Sequence, residues 1–379
     1  MSTLRVVLDE VGSRTPSGIG RYALELTRAL IETAARGIDV AGIVASSPGE
    51  EYQRIERELP GLTALHKSAL DRRQLAAAWQ HGFSRLPGEG MVHAPSLLAP
   101  LYRHDRLNNP GEQFVVTVHE ATPWTHPETM SSRAVAWHKA MARRAERYAD
   151  AVVVPTHAVA DELQGAVDFG ERIRVIAGAV SSELTVPADI SVADARAEAL
   201  GLPERYVLAV GPLEKRKGIP DLLWAMGDVH APDVPLVLVG VGDVDVDEVR
   251  QQAHIDVGRV ITLGRLDDAD LAVAYARAAV VVVPSLSDGF GLPALEAMGL
   301  GAPVVHSDAP ALIEVCSDAG IIVPRLDAAG YPRRLADAIQ GVLDDPSLAT
   351  QLSVRGRDRA GAFSWRDSAE KTWQLHADL

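Results

Sequence analysis

The stretch "AVVVVPSLSDGFGLPALEAMGLGAPVVHSD", residues 279–308, decides the fold. An unbroken run of valines closes at Pro284. A run with no polar alternation reads as a strand buried on both faces, as in a parallel sheet covered by helices. A loop with Gly289 and Gly291 follows. Pro293 suits the first turn of a helix, where its missing N–H has no helical partner to lose. "APVVHSD" then starts a second apolar run. Strand, loop, helix, strand is the repeating unit of a doubly wound α/β domain.

The same order recurs on both sides. In the first half, "LRVVLD", "VAGIVAS", "GMVHAPS", "QFVVTVHE", "AVVVPTHAVADEL" and "RIRVIAGAV" each supply a strand. "IGRYALELTRALIETAAR" and the basic "SSRAVAWHKAMARRAERYAD" supply amphipathic helices, and Thr156 is placed as an N-cap. "SSELTVPADISVADARAEALGLPER" reads as a linker plus a helix. The pattern restarts with "YVLAVGPLEKRKGIPDLLWAM", "PLVLVGVGDVDVDEVRQQA" and "RVITLGRLDDADLAVAYARA". The expectation is two doubly wound domains, 1–185 and 186–363. Ligands of such sheets bind outside the carboxyl ends of the strands.

Composition narrows the function. The 379 residues carry a formal charge of −14, which argues against a nucleic-acid partner. The single cysteine, Cys316, permits no intramolecular disulfide, fits a reducing cytoplasm and reads as a small buried hydrophobe. No uncharged run reaches the roughly 18 residues of a membrane span, and "MSTLRVVLDEVG" has no signal-peptide core. The basic helix leaves peripheral contact at the inner face of a membrane open, against the plainer reading of a solvated face.

Three loops hold the candidate chemistry. "GSRTPSGIGRY" leads through Gly18 into a helix start, a place that favours an anion, although it lacks the G-x-G-x-x-G spacing of a dinucleotide site. "GPLEKRKGIPDLL" puts Arg216 and Lys217 at a strand end, where they could neutralise a diphosphate. "DGFGLPALEAMGLG" offers the backbone N–H groups of Phe290, Gly291 and Leu292 and two carboxylates, Asp288 and Glu296, suited to sugar hydroxyls. The plainer reading is that Asp288 caps and Glu296 offsets the helix dipole. "DVDVDE", 243–248, is read as a solvated loop, and no metal site is expected. His93 ends a strand, and acceptor contact and core packing are equally open to it.

The 288–296 stretch resembles the E-x7-E signature of the family 4 retaining glycosyltransferases of GT-B fold. "SGIGRY", "VHEATPWTHPE", "VGPLEKRKG" and "FSWRDSA" agree in order, so the resemblance covers essentially the whole chain. It implies two Rossmann-like domains facing a central cleft, with a C-terminal helix, 364–379, crossing back to the first, acceptor-binding domain. It implies a hexose moved from a nucleotide-sugar, a GDP- or UDP-hexose with GDP-mannose foremost, to a glycan or lipid-linked glycan, with no tightly bound cofactor.

By the same resemblance Arg216 and Lys217 grip the diphosphate and Glu296 the ribose. Asp288 and the 290–292 backbone meet the sugar or phosphate, Gly18 lies beside the diphosphate, and His119 lies near the anomeric centre. Tyr22 and His93 are acceptor-side candidates. Two positions depart from the family pattern: Asp288 stands where glutamate is usual, and Glu120 where aspartate is. Two other functions compete. An inactive nucleotide-sugar-binding subunit would show no donor turnover, and a sugar-nucleotide 2-epimerase would convert donor without acceptor.

Overall fold

Seven strands of the first half form one parallel sheet: β1 (Ser2–Val7), β2 (Ile38–Val44), β3 (Ala64–Lys67), β4 (Met91–Ala94), β5 (Phe114–Thr117), β6 (Ala151–Val154) and β7 (Ile173–Val175), in the order β3-β2-β1-β4-β5-β6-β7. The second half forms another from β8 (Val207–Val210), β9 (Leu236–Val239), β10 (Val260–Leu263), β11 (Val280–Val283), β12 (Val304–Ser307) and β13 (Ile321–Val323), in the order β10-β9-β8-β11-β12-β13. The structure is a computed structural model that describes residues 2–11, 17–83, 90–105, 108–109, 111–242 and 246–379.

The winding direction reverses beside the first strand of each sheet. In the first, β1 pairs with β2 on one side and β4 on the other. In the second, β8 pairs with β9 and β11. Each reversal is a switch point, where neighbouring strand-end loops diverge and leave a crevice. The valine run shows why β11 sits centrally. Val281 and Val283 enter one core, and Val280 and Val282 the other. Alternate side chains of a strand point to opposite faces, so an all-valine strand is stable only with helices on both sides.

The chain divides into Met1–Gly178 with Ser364–Leu379, and Ala179–Phe363. The first boundary therefore falls before the expected 185, because Leu184 is buried in the second unit's core and Val180 packs against it. Strand β3 was not expected from the sequence. Its "ALHK" is half-exposed throughout and lacks the apolar run of its neighbours. The helix after it, Arg72–His81, carries a readable start: Asp71 and Gln74 form a capping box, and Gly82 closes the helix in a left-handed conformation.

The last helix, Trp365–Asp378, packs on the first helix of the same unit, Gly18–Thr33, as expected. Ser364 caps it, and Ala369 enters the core with Leu26 and Leu30. Trp373 Nε1 donates to Thr33 Oγ1 at 3.1 Å, and Ser368 Oγ donates to the Ala177 carbonyl at 2.7 Å. Among the described residues no helix is long and apolar enough to cross a membrane.

A buried histidine pair anchors the helix's far end. His93 on β4 and His376 lie with ring centroids 5.7 Å apart. His376 Nδ1 donates to Gln113 Oε1 at 2.9 Å, and Gln113 Nε2 donates to the His376 carbonyl at 3.2 Å. Burial pulls His93 down to about 4; burial, and then His93 itself, pull His376 down to about 3. Both rings are neutral at pH 7. The unfolded chain, with pKa near 6.5, takes up these protons first, so stability is full above about pH 6.5 and falls as pH drops toward 4. Between pH 7 and pH 5 the first unit should lose on the order of 1–2 kcal/mol per histidine. Thermal unfolding followed by circular dichroism checks this, and His376→Phe should flatten the dependence.

Candidate functional site

The β8–β11 switch point gathers the residues singled out in the second half. After β8 the chain makes a single 3-10 turn, Lys215–Lys217, then enters the helix Ile219–Met226 through Gly218. After β11 the loop 284–291 leads into the helix Leu292–Gly299, with Pro293 in its first turn. Backbone bonds stitch the two loops together. Leu286 N donates to the Arg216 carbonyl at 2.7 Å, and Ser287 N to the same oxygen at 3.4 Å.

Gly218 makes this approach sterically allowed. Its φ is 67°, and a Cβ there would lie 2.1 Å from the Pro284 carbonyl oxygen. Glycine is required both for the left-handed backbone and for the contact.

At the junction, Lys217 Nζ donates to Asp288 Oδ2 at 2.7 Å. The same oxygen accepts from Ser285 Oγ at 3.1 Å. Oδ1 accepts from Gly291 N at 3.0 Å and Phe290 N at 3.4 Å. The lysine side chain is 19% exposed and the aspartate 9%. Burial pushes the Asp288 carboxyl up, but the Lys217 ammonium, the backbone bond and Arg216 outweigh it and hold the group at about 2. Asp288 is therefore an ionised, nearly saturated anchor. In this arrangement the N–H groups of Phe290 and Gly291 serve Asp288, rather than pointing at an incoming group as the sequence reading had them. A small cavity lies beside the pair, lined by Val210, Lys217, Pro284, Ser285, Asp288 and Pro293 among others.

Arg216 Nε donates to Glu214 Oε2 at 2.8 Å at the rim of this site, and its side chain is 20% exposed. Glu296 lies one turn into the following helix and is buried; its Oε2 accepts from the Tyr275 hydroxyl at 2.9 Å. Leu292 is the first residue of that helix.

In the first unit the candidates divide. Gly18 opens its helix, exposed, with open space around it, and Ser17 caps the same helix by accepting from Gly20 N at 3.1 Å. His119 stands beyond the end of β5, and its Nε2 donates to the Pro95 carbonyl at 2.6 Å. Burial lowers its pKa, partly offset by that carbonyl and by Glu120. Tyr22 is buried between His119 and Trp365, with ring centroids 4.7 Å and 5.5 Å away. His93 is fully enclosed against the last helix. Neither Tyr22 nor His93 is at a surface that an acceptor could touch, because the returning helix covers both.

Asp243 to Asp245 of the acidic stretch lie outside the described residues. Asp247 accepts from Arg250 Nε at 2.8 Å. Cys316 is buried, as expected.

The sequence reading missed the side chains that hold the 284–286 backbone. Ser307 Oγ donates to the Ser285 carbonyl at 2.5 Å, and the Tyr331 hydroxyl to the Pro284 carbonyl at 3.5 Å. Ser307 ends an apolar strand run, a position that could have marked it.

Gly218→Ala should destabilise the protein by more than about 1 kcal/mol, because the substitution conflicts with both backbone and space. Gly18→Ala should leave the melting temperature unchanged or slightly raised, since alanine favours a helix by about 1 kcal/mol at most. Differential scanning calorimetry of the two variants checks the contrast.

Two domain families match the chain: "Glycosyltransferase Family 4" over residues 16–184 and "Glycosyl transferases group 1" over residues 204–345. The chain is 28% identical over 381 residues to the O-antigen chain mannosyltransferase B of Escherichia coli, covering 94% of each. It is 39% identical over 167 residues, 42% of each chain, to the phosphatidyl-myo-inositol mannosyltransferase of Mycolicibacterium smegmatis. Among solved structures, sucrose-phosphate synthase from Thermosynechococcus elongatus superposes with a TM-score of 0.73 at 25% identity, over 100% of this chain and 99% of that one. Anabaena HepE, solved with UDP-glucose, gives 0.73 at 17% identity over 100% of each chain, a likeness of fold. With a Family 4 domain in its first half and a group 1 domain in its second, the chain is a glycosyltransferase of the GT-B, family 4-like type.

Proposed function

We propose that the protein is a retaining, metal-independent hexosyltransferase that takes mannose from GDP-mannose and passes it to a glycan or lipid-linked glycan. The observation that carries this reading is the Lys217 ammonium, 2.7 Å from part-buried Asp288 and beside Arg216 at the switch point of the second sheet. Two fixed cations at strand ends suit a leaving diphosphate, whose charge grows as the glycosidic bond breaks. Glu296, steadied by Tyr275, is the ribose ligand of this reading. Mannose is supported by the mannosyltransferase names of the relatives from E. coli and M. smegmatis. UDP-hexose is the other donor class to test.

In the reaction, the bond from the sugar's anomeric carbon to the diphosphate oxygen breaks. The acceptor oxygen bonds to that carbon on the same face, and its proton passes to the departing phosphate. Arg216 and Lys217 stabilise the negative charge, and Asp288 keeps Lys217 in place. His119, its Nε2 hydrogen committed to Pro95, is the residue assigned to the sugar in this reading. Gly18, exposed at the start of its helix, is a further donor-binding candidate of this reading.

A thermal-shift screen with GDP, UDP, ADP and their common sugars tests the donor, with the largest shift expected for GDP-mannose. Product anomeric configuration by NMR tests retention, and activity unchanged by a chelator tests metal independence. Lys217→Ala should lower turnover at saturating donor by about 10²-fold or more. Normal turnover in a folded variant would remove this role. Arg133, Arg143 and Arg147 are exposed along the basic helix Ser132–Tyr148 and would meet anionic lipid beside a lipid-linked acceptor. Sedimentation with anionic vesicles at low salt should then carry the protein down; its absence would leave a soluble glycan as acceptor.

A further inference from the structure

Three consecutive carbonyls of the loop after β11 are each held by a side chain from a different element. Pro284 is held by Tyr331, Ser285 by Ser307, and Leu286 by Arg325 Nη1. The loop's next amides, Leu286 N and Ser287 N, face the other way and donate to the Arg216 carbonyl. The loop is thus pulled from one side by Arg325 and fastened on the other to the turn that carries Arg216 and Lys217.

Arg325 is itself fixed. Its backbone N donates to Asp308 Oδ2 at 3.0 Å, and its Nε donates to Asp308 Oδ1. Asp308 follows β12, and Arg325 follows β13. The guanidinium therefore spans from the end of β12 to the loop after β11, with side-chain exposures of 21% for Arg325 and 31% for Asp308. A planar fork can serve the carboxylate through one nitrogen and the carbonyl through another at once; a lysine ammonium on a flexible stem cannot hold both with the same geometry.

We infer that Arg325, held by Asp308, is a positioning residue for transfer: through the Leu286 carbonyl it fixes the loop whose amides fix the Arg216–Lys217 turn. The inference rests on the reading of that turn as the diphosphate site. Arg325 itself touches none of the reacting groups in this account. A shift of about 1 Å in a charged group at a reacting centre can cost about 10²-fold in rate, so a brace at this distance is enough to matter.

The test uses the full chain and the variants Arg325→Gln, Arg325→Lys and Asp308→Asn. Hydrogen exchange read by mass spectrometry should show faster exchange in Arg325→Gln for peptides covering 284–291 and 215–218, with the first unit unchanged. In donor turnover, kcat should fall about tenfold or more while donor KM moves less than about threefold, and Arg325→Lys should restore only part of the loss. Asp308→Asn should fall between them. Unchanged exchange in both peptides, or Arg325→Gln turning over like the wild type, would overturn the inference. Binding of neither GDP nor UDP to the wild-type protein would instead overturn the diphosphate reading, and Arg325's part in transfer with it.

Discussion

The site depends on one ion pair, Lys217 with Asp288, closed across the gap between the β8 and β11 loops. Either charge alone there would be costly. Removing one member costs about 3–5 kcal/mol for a fully buried pair and less for this part-buried one. The pair is satisfied on the aspartate side by Ser285 and two backbone amides, which leaves the ammonium fixed in direction. A lysine held in this way is a prepared charge: it need not reorganise when negative charge develops nearby.

The surrounding structure serves to bring those two residues together. The sheet order places β8 beside β11, so residues far apart in the chain share one strand-end crevice. Gly218 lets the turn lie against the Pro284 carbonyl, and the Arg216 carbonyl receives the loop's amides. In the first unit the returning helix has a different role. It covers Tyr22 and His93 and packs Trp365 behind the tyrosine that touches His119. Within that unit it packs and covers these side chains.

The fold was largely legible in the sequence, because valine runs such as 280–283 admit only a strand covered on both faces. Edge strand β3 was not, since a half-exposed "ALHK" has no such signature. That Arg216, Lys217 and Asp288 sit on loops at strand ends was also legible. What could not be read was their mutual arrangement. Asp288 and Lys217 were each assigned to an incoming ligand, yet in the structure they bind each other, because only the sheet order reveals that their loops meet. For His93 acceptor contact and core packing were equally open, and the helix that buries it lies far along the chain. Arg325 follows a short, partly exposed strand, and nothing in "VPRLDAAG" marks it out.

The central claim is that the Lys217 ammonium, oriented by Asp288, receives the diphosphate of a nucleotide-sugar. Calorimetric titration of GDP and of UDP into the wild-type protein and into a folded Lys217→Met variant tests it most directly. The account predicts that one nucleotide binds the wild type and binds the variant at least about tenfold more weakly, the scale of one lost charge-assisted contact. Equal affinity in the two proteins would contradict it.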